Sequence, residues 1–408
     1  MTHTLPLDRL DALRAAQKKA YDRAPAIRDI YERARMTPQD IRSAADLARL
    51  PVTSKDALLD LQRKAPPFGG FLAADEAAIR RIFVSPGPIY EPQLKDDQDG
   101  HGFAHSFRRA GIGPQDRVLN TWSYHLVPAG VLLDQGIAAT GATVIPCGPG
   151  GAEQQAQLIL ELGVTCICAS TAFFVTLVNT LEHMGHQLPG AWKVKSALLG
   201  GEMGDWMGKR RALETRYEIK IFSAYATGDF GLIGYEETDQ EGYTVQPERL
   251  VQICDPQTGT PLPLGETGEI VVTTLDLGWP LVRFGTGDVA SGSVASADGF
   301  VSHISLLKGR VGQAVKAREI FIYPRNVEEV LMQVPHMQRA QVVVTMQQHR
   351  ETVTLRGVLH PGVEAATVEK ALHEIFKQRT RLKLDAVEWI SADDLAIDAP
   401  VLVDRKYA

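Results

Sequence analysis

Val164-Thr165-Cys166-Ile167-Cys168-Ala169 lies between two stretches of a different rhythm, 152–162 before it and 171–185 after it. Its six uncharged, mostly apolar residues read as a buried strand, while the flanking stretches space their apolar residues as helices do. A buried strand bracketed by helices points to crossover connections and a largely parallel sheet covered on both faces.

Moving outward, the same alternation continues. Strand candidates Arg81–Val84, Arg117–Thr121, Ala142–Pro146, Ser196–Gly200 and Lys220–Ser223 alternate with helical stretches 98–112, 125–140 and 204–216. Toward the N-terminus, 5–34 and 39–48 repeat at helical spacing. Thr53 or Ser54 can cap a third helix over 54–64, with Asp56 in its first turn. Toward the C-terminus, strands Leu250–Asp255, Glu269–Thr274 and Pro280–Phe284 are separated by turn-rich segments such as Gly259–Gly268, which predicts a more antiparallel β-subdomain.

The pattern changes again near Lys308–Gly312. An amphipathic helix through Val327, Val330, Leu331 and Val334 follows, then strands Gln341–Thr345 and Thr352–His360, a helix over 363–379 and a strand near 383–390. The fold class is therefore α/β. A large N-terminal domain (1–308) combines mixed and parallel sheets, covering helices and a β-subdomain. A small α+β domain (309–408) follows, mobile about a hinge at Gly309–Gly312.

A chain of 408 residues has ample length for a core without metals or disulfides. A formal net charge of −6 speaks against a dedicated nucleic-acid binder, so no nucleic-acid partner is expected. The four cysteines do not have zinc-ribbon or redox spacing, and they read as small buried hydrophobes in a reducing compartment. No uncharged stretch is long enough to span a bilayer, and the N-terminus has no apolar leader, so a cytoplasmic protein without membrane contact is expected.

Five short motifs could carry chemistry. Val84-Ser85-Pro86-Gly87-Pro88-Ile89-Tyr90-Glu91-Pro92 follows a strand, where backbone N–H groups can cradle phosphate, but its three prolines equally suit a rigid turn. Leu198-Leu199-Gly200-Gly201-Glu202-Met203 runs from a strand into a glycine pair. That is either a close approach to a ligand at a sheet edge or a plain strand-to-helix turn. Ser223-Ala224-Tyr225-Ala226-Thr227-Gly228-Asp229 brings an aromatic ring, a hydroxyl and a carboxylate toward the same edge. Arg283-Phe284-Gly285-Thr286-Gly287-Asp288 can present an acid to the two hydroxyls of a ribose, or form an Asx-turn. Lys308-Gly309-Arg310 sets an arginine beside the hinge.

In their order and spacing, these motifs resemble the series found in the adenylate-forming ligases, most closely the phenylacetate–CoA ligase branch. Leu50-Pro51-Val52-Thr53-Ser54-Lys55-Asp56, Gly141–Pro146 and Tyr323–Leu331 extend the similarity over nearly the whole chain. The resemblance implies an enzyme, an AMP-forming acid–thiol ligase, that makes an acyl-adenylate from ATP and a small, aromatic carboxylic acid and passes the acyl group to coenzyme A. It implies ATP/AMP, Mg²⁺ and coenzyme A as cofactors, small molecules as partners and, since relatives of this branch are often dimers, a homodimer.

By the same resemblance, Gly201, Glu202 and Met203 line an adenine pocket on which Tyr225 stacks. Ser85, Gly87, Ala224, Ala226 and Thr227 contribute to the nucleotide site, and Asp288 takes the ribose hydroxyls with help from Arg310. Asp229 stands where the family holds Mg²⁺ with a glutamate. Trp122, Tyr124, Phe173 and Phe174 fall in segments that border the acid pocket.

Two lysine positions depart from the family pattern. Glu91 replaces the lysine of the phosphate loop, and Asp398 falls where the C-terminal catalytic lysine belongs, leaving Lys316 or Lys406 as substitutes. A negative Glu91 would repel a triphosphate by about 4 kcal/mol at 4 Å and an effective dielectric of 20. The alternative expectation is therefore a pseudo-ligase or retuned homologue that binds AMP, acyl-adenylate or acyl-CoA without ordinary ATP-dependent adenylation.

Overall fold

The computed structural model describes residues 9–200, 206–237, 240–307, 309–311, 315–318, 320–322, 324–347, 350–380 and 382–406. Gly201, Glu202, Met203, Lys308 and Gly312 lie outside the described residues. The chain divides into two compact units, Met1–Gly309 and Arg310–Ala408.

In the larger unit, Cys166–Ser170 is the central strand of a five-stranded parallel sheet. Its order is Thr143–Pro146, Arg117–Asn120, Cys166–Ser170, Ser196–Gly200, Lys220–Phe222. Helices Ala152–Glu161 and Thr171–His183 flank the central strand in sequence, and Ser170 caps the second through the N–H of Phe173. Ile167 and Ala169 point to one apolar cluster and Cys166 and Cys168 to another, as period-2 alternation requires when both faces are covered.

The expected strand Arg81–Val84 does not join this sheet. Ile79–Ser85 pairs antiparallel with Ile89–Leu94 in a hairpin whose turn is Pro86-Gly87-Pro88. The stretch read as a loop is thus largely strand, and Ser85 pairs with Ile89 across the turn. Near the N-terminus, the Ser54 hydroxyl caps helix Lys55–Lys64 by accepting from the Ala57 N–H, which resolves the choice between Thr53 and Ser54.

The β-subdomain is a large antiparallel sheet in which Ala224–Thr227, Gly231–Tyr235, Tyr243–Val245 and Val301–Ile304 lie side by side. Val301–Ile304 pairs in turn with both Arg249–Cys254 and the long strand Phe284–Ala295, which curls the sheet. The expected strand Pro280–Phe284 instead begins at Phe284 and runs to Ala295, so Thr286 and Asp288 sit on a strand rather than in a turn. Arg283, at φ 41°, makes the bend before it.

The smaller unit is a four-stranded sheet, ordered Ala386–Trp389, Arg350–Leu359, Met337–Gln347, Leu402–Arg405, with helices Pro324–Gln333 and Ala365–Thr380. Val327, Val330 and Val334 enter its core together with Leu372 and Phe376. The strand Leu402–Arg405, in parallel register with Val342–Thr345, had no strand reading in sequence.

Candidate functional site

The sheet curl brings the Ala224–Thr227 strand to the Phe284–Ala295 strand. The Tyr225 hydroxyl donates to Asp288 Oδ2 at 2.9 Å, and both side chains are buried. Tyr225 also packs on Tyr243, with ring centroids 6.0 Å apart. Only 4% exposed, the Tyr225 ring is not open for an adenine to stack on; the residue positions Asp288 instead. Asp288 is further held by its N–H, which donates to Thr286 Oγ1 at 3.1 Å.

Glu269 lies beneath this strand and accepts from the Gly287 N–H at 3.0 Å. Burial, with Asp288 close by, pushes its carboxyl above the ordinary range. A Cβ at Gly285 would fall 2.4 Å from Glu269 Oε1, so the carboxyl would have to shift.

The other end of the same segment carries the charges. Asp229 is buried, and Lys55, from the first turn of its helix, places Nζ 2.7 Å from Asp229 Oδ2. Glu91 points inward from the hairpin. It is 4% exposed, accepts from Ser85 Oγ at 2.5 Å and lies within hydrogen-bonding reach of Asp229. The Gly228 backbone closes over this pair, since a Cβ there would sit 2.8 Å from both Glu91 Oε1 and Ser85 Oγ. The Thr227 hydroxyl next to it is buried without a partner.

Two buried carboxylates side by side cannot both ionise cheaply. Asp229 has the ammonium of Lys55 beside it. Burial first, and then the charge of Asp229, push Glu91 up to about 8. The like-charge repulsion expected of Glu91 is therefore weakened at neutral pH, because burial and Asp229 push its carboxyl toward the protonated form. Because Lys55 occupies the cation position on Asp229, that carboxylate as arranged does not fit a Mg²⁺ ligand. Among the described residues no group of three metal-ligating side chains occurs.

The hairpin itself is held from below. Gln62 donates to the Tyr90 carbonyl at 2.7 Å and accepts from the Tyr90 N–H at 2.9 Å. Pro86 and Pro88 have no N–H, so within the turn Gly87 is left as the one backbone donor. Gly87 has its φ at 159°.

The acid-pocket candidates divide. Trp122 is half-buried past the end of strand Arg117–Asn120, with Cζ2 at 3.7 Å from where a Gly200 Cβ would stand. Half-buried Tyr124 accepts from Asn120 Nδ2 at 2.8 Å and donates to Asp134 at 2.9 Å. Phe173 is partly buried against a core cluster. Phe174 is fully buried and packs edge-on to Tyr217, with centroids 6.1 Å apart, so it is core and not a pocket wall.

In the smaller unit, Lys406 is buried, donating to the Lys316 carbonyl at 2.5 Å and pairing with Glu351 at 3.3 Å and Asp404 at 3.4 Å. It is committed to that unit's own structure and does not serve as a free lysine. Lys316 lies on the short strand Val315–Ala317, Arg310 on Gly309–Arg310, and Asp398 is exposed. Sequence reasoning passed over Lys55, although it stands in the quoted stretch Leu50–Asp56. Gln62 and Glu269 carried no signal at all.

No family model matches the chain. Among known proteins it is 28% identical over 387 residues to the phenylacetate–coenzyme A ligase of Aromatoleum evansii, covering 90% of this chain and 86% of that one. It is 27% identical over 416 residues to the phenylacetate–coenzyme A ligase of Escherichia coli (strain K12), covering 97% and 92%. A crystal structure of 2-hydroxyisobutyryl-CoA ligase in complex with 2-HIB-AMP and CoA matches 98% of this chain and 89% of its own, with a TM-score of 0.88 at 21% identity.

In sequence the chain is thus similar to curated phenylacetate–coenzyme A ligases, and in fold to a solved CoA ligase.

Proposed function

We infer that the chain is an acid–thiol ligase that activates a small aromatic carboxylic acid with ATP and delivers the acyl group to coenzyme A. One observation carries this reading. The segment from Tyr225 to Asp229 holds a buried acid at one end, through Tyr225–Asp288, and a lysine-bearing cluster at the other, through Asp229–Lys55. Four residues apart, the two ends suit the ribose and the phosphates of one nucleotide.

The chemistry follows from the leaving groups. A carboxylate oxygen attacks the α-phosphorus and pyrophosphate leaves. The thiol sulfur then attacks the acyl carbon, losing its proton, and AMP leaves with the oxygen. Fixed positive charge near the phosphates lowers the first barrier. In this chain Lys55 is the lysine at the cluster, and protonated Glu91 adds no negative charge to it. Trp122, half-buried beside Gly200, is the aromatic wall for the acid.

A second reading is favoured by the hairpin turn. Its two prolines leave little backbone to grip β- and γ-phosphates, which suits a site that takes AMP or a preformed acyl-adenylate. Pyrophosphate exchange with a panel of acids separates the two. Exchange with aromatic acids at pH 7 supports ATP-dependent activation. No exchange with any acid, together with AMP release from a supplied acyl-adenylate and coenzyme A, supports the second reading. If neither occurs, both readings fail.

A further inference from the structure

A cleft of about 400 Å³ opens in the larger unit, lined by Arg33, Arg49 and Arg283, by the segment Ala48–Val52 and by the turn Thr258–Thr260. No acid lines it. Arg283 is 1% exposed and donates to the carbonyls of Ala48, Leu50 and Gly259 and, at 3.3 Å, to Cys254 Sγ. Its Nε is buried without a partner, and among the described residues it forms no ion pair. Burial pushes the Cys254 thiol up, so that group supplies no negative charge.

A guanidinium stays protonated under all ordinary conditions, and a buried cation answered only by carbonyl dipoles calls for a counter-charge. Arg33 and Arg49 are exposed at the same cleft. Arg49 also faces Asp40 and Asp46, but both acids are already held by their own caps, Asp40 by Thr37 and Asp46 by Ser43 and the Arg42 N–H. The rest of the lining is Ala34, Leu50, Pro51 and Val52, with the Thr258 and Thr260 hydroxyls at the turn.

We propose that this cleft binds a phosphate monoester, its dianion held by Arg33 and Arg49 above the buried positive charge of Arg283 and its organic part on the Leu50–Val52 side. Planar guanidinium forks match phosphate oxygens, and the volume lies within the roughly 300–1,000 Å³ of small-molecule sites. The cleft is separate from the nucleotide site, since neither Arg33 nor Arg49 belongs to the cluster around Asp229.

Calorimetry on the full chain with phenyl phosphate and with inorganic phosphate tests this. Phenyl phosphate binds more tightly than inorganic phosphate, and an Arg33→Gln/Arg49→Gln double variant weakens phenyl phosphate binding by at least about tenfold, the loss of a charge-assisted contact or more. A Lys55→Met/Asp229→Asn variant, altered at the phosphate end of the nucleotide site, binds phenyl phosphate as the wild type does. Equal affinity in the double variant overturns the proposal, as does an absence of binding. Loss of binding in the Lys55→Met/Asp229→Asn variant also overturns it, because the probe is then reading the nucleotide site. Both arginines are exposed, and thermal melts of the double variant establish that it is folded.

Discussion

Lys55 Nζ lies 2.7 Å from Asp229 Oδ2, and Glu91 is buried beside that pair. The ammonium stands beside Asp229, and burial together with Asp229 pushes the Glu91 carboxyl upward. The helix Lys55–Lys64 and the strand Ala224–Thr227 are 160 residues or more apart in sequence, so only the fold assembles this arrangement.

Removing the cation exposes what it holds. Lys55→Met leaves Asp229 buried and unpaired, and denaturant unfolding will show a loss of about 3 kcal/mol or more. Lys55→Met/Asp229→Asn recovers most of it, with a coupling of at least about 1 kcal/mol in the double-mutant cycle. Strictly additive losses would mean that the pair does not act as a unit.

Glu91 makes stability depend on pH in a definite direction. Its carboxyl is raised from 4.5 to about 8 in the folded chain, so between those values the folded state holds a proton that the unfolded state has lost. Folding then binds protons, and the contribution present below the unfolded value is lost as pH rises toward 8. Glu91→Gln removes this dependence, so the wild type must lose stability relative to the variant as pH increases over that range. Parallel melting curves at all pH values would show that Glu91 is not protonated in the folded protein. Activity with ATP should fall over the same upper range as Glu91 becomes charged.

Tyr225→Phe keeps the ring that packs on Tyr243 and deletes only the hydroxyl that donates to Asp288. A hydrogen bond to a charged group contributes about 1.5–3 kcal/mol, so AMP affinity should drop roughly tenfold to a hundredfold, with a smaller change in melting temperature. Calorimetry with AMP measures the first and a thermal scan the second. Unchanged AMP affinity would remove Tyr225 from the site.

Phe174 and Trp122 are predicted to respond in opposite ways. Phe174→Ala opens a cavity beside Tyr217 and costs about 3–5 kcal/mol of stability without altering which acids are accepted. Trp122→Ala, at a half-buried position, should cost less stability and change the preference between aromatic and aliphatic acids in pyrophosphate exchange. A shift in acid preference from Phe174→Ala would return that residue to the pocket.

Much of the architecture was legible because its signals are local. The run from Val164 to Ala169 between two helical stretches identified a strand covered on both faces, and four further strands of the parallel sheet were placed to within about two residues of their observed bounds, inside the ordinary uncertainty of element ends. The turn at Pro86-Gly87-Pro88 was harder. Residues on its far side were read as loop because two prolines and a glycine interrupt the alternation, yet Ile89–Leu94 pairs with Ile79–Ser85. Leu402–Arg405 is similar: four residues are too few to show a period, and pairing with Val342–Thr345 makes the strand.

The amino-acid order alone determined the class of fold and which side chains were available: an acid at 288, an acid at 229, a glutamate where a lysine was expected. Whether that glutamate is charged was settled only by the folded chain, which buries it beside Asp229 and brings Lys55 across from another element. Protonation depends on solvent exclusion and on charges a few ångströms away, and neither quantity is encoded in any single stretch of sequence.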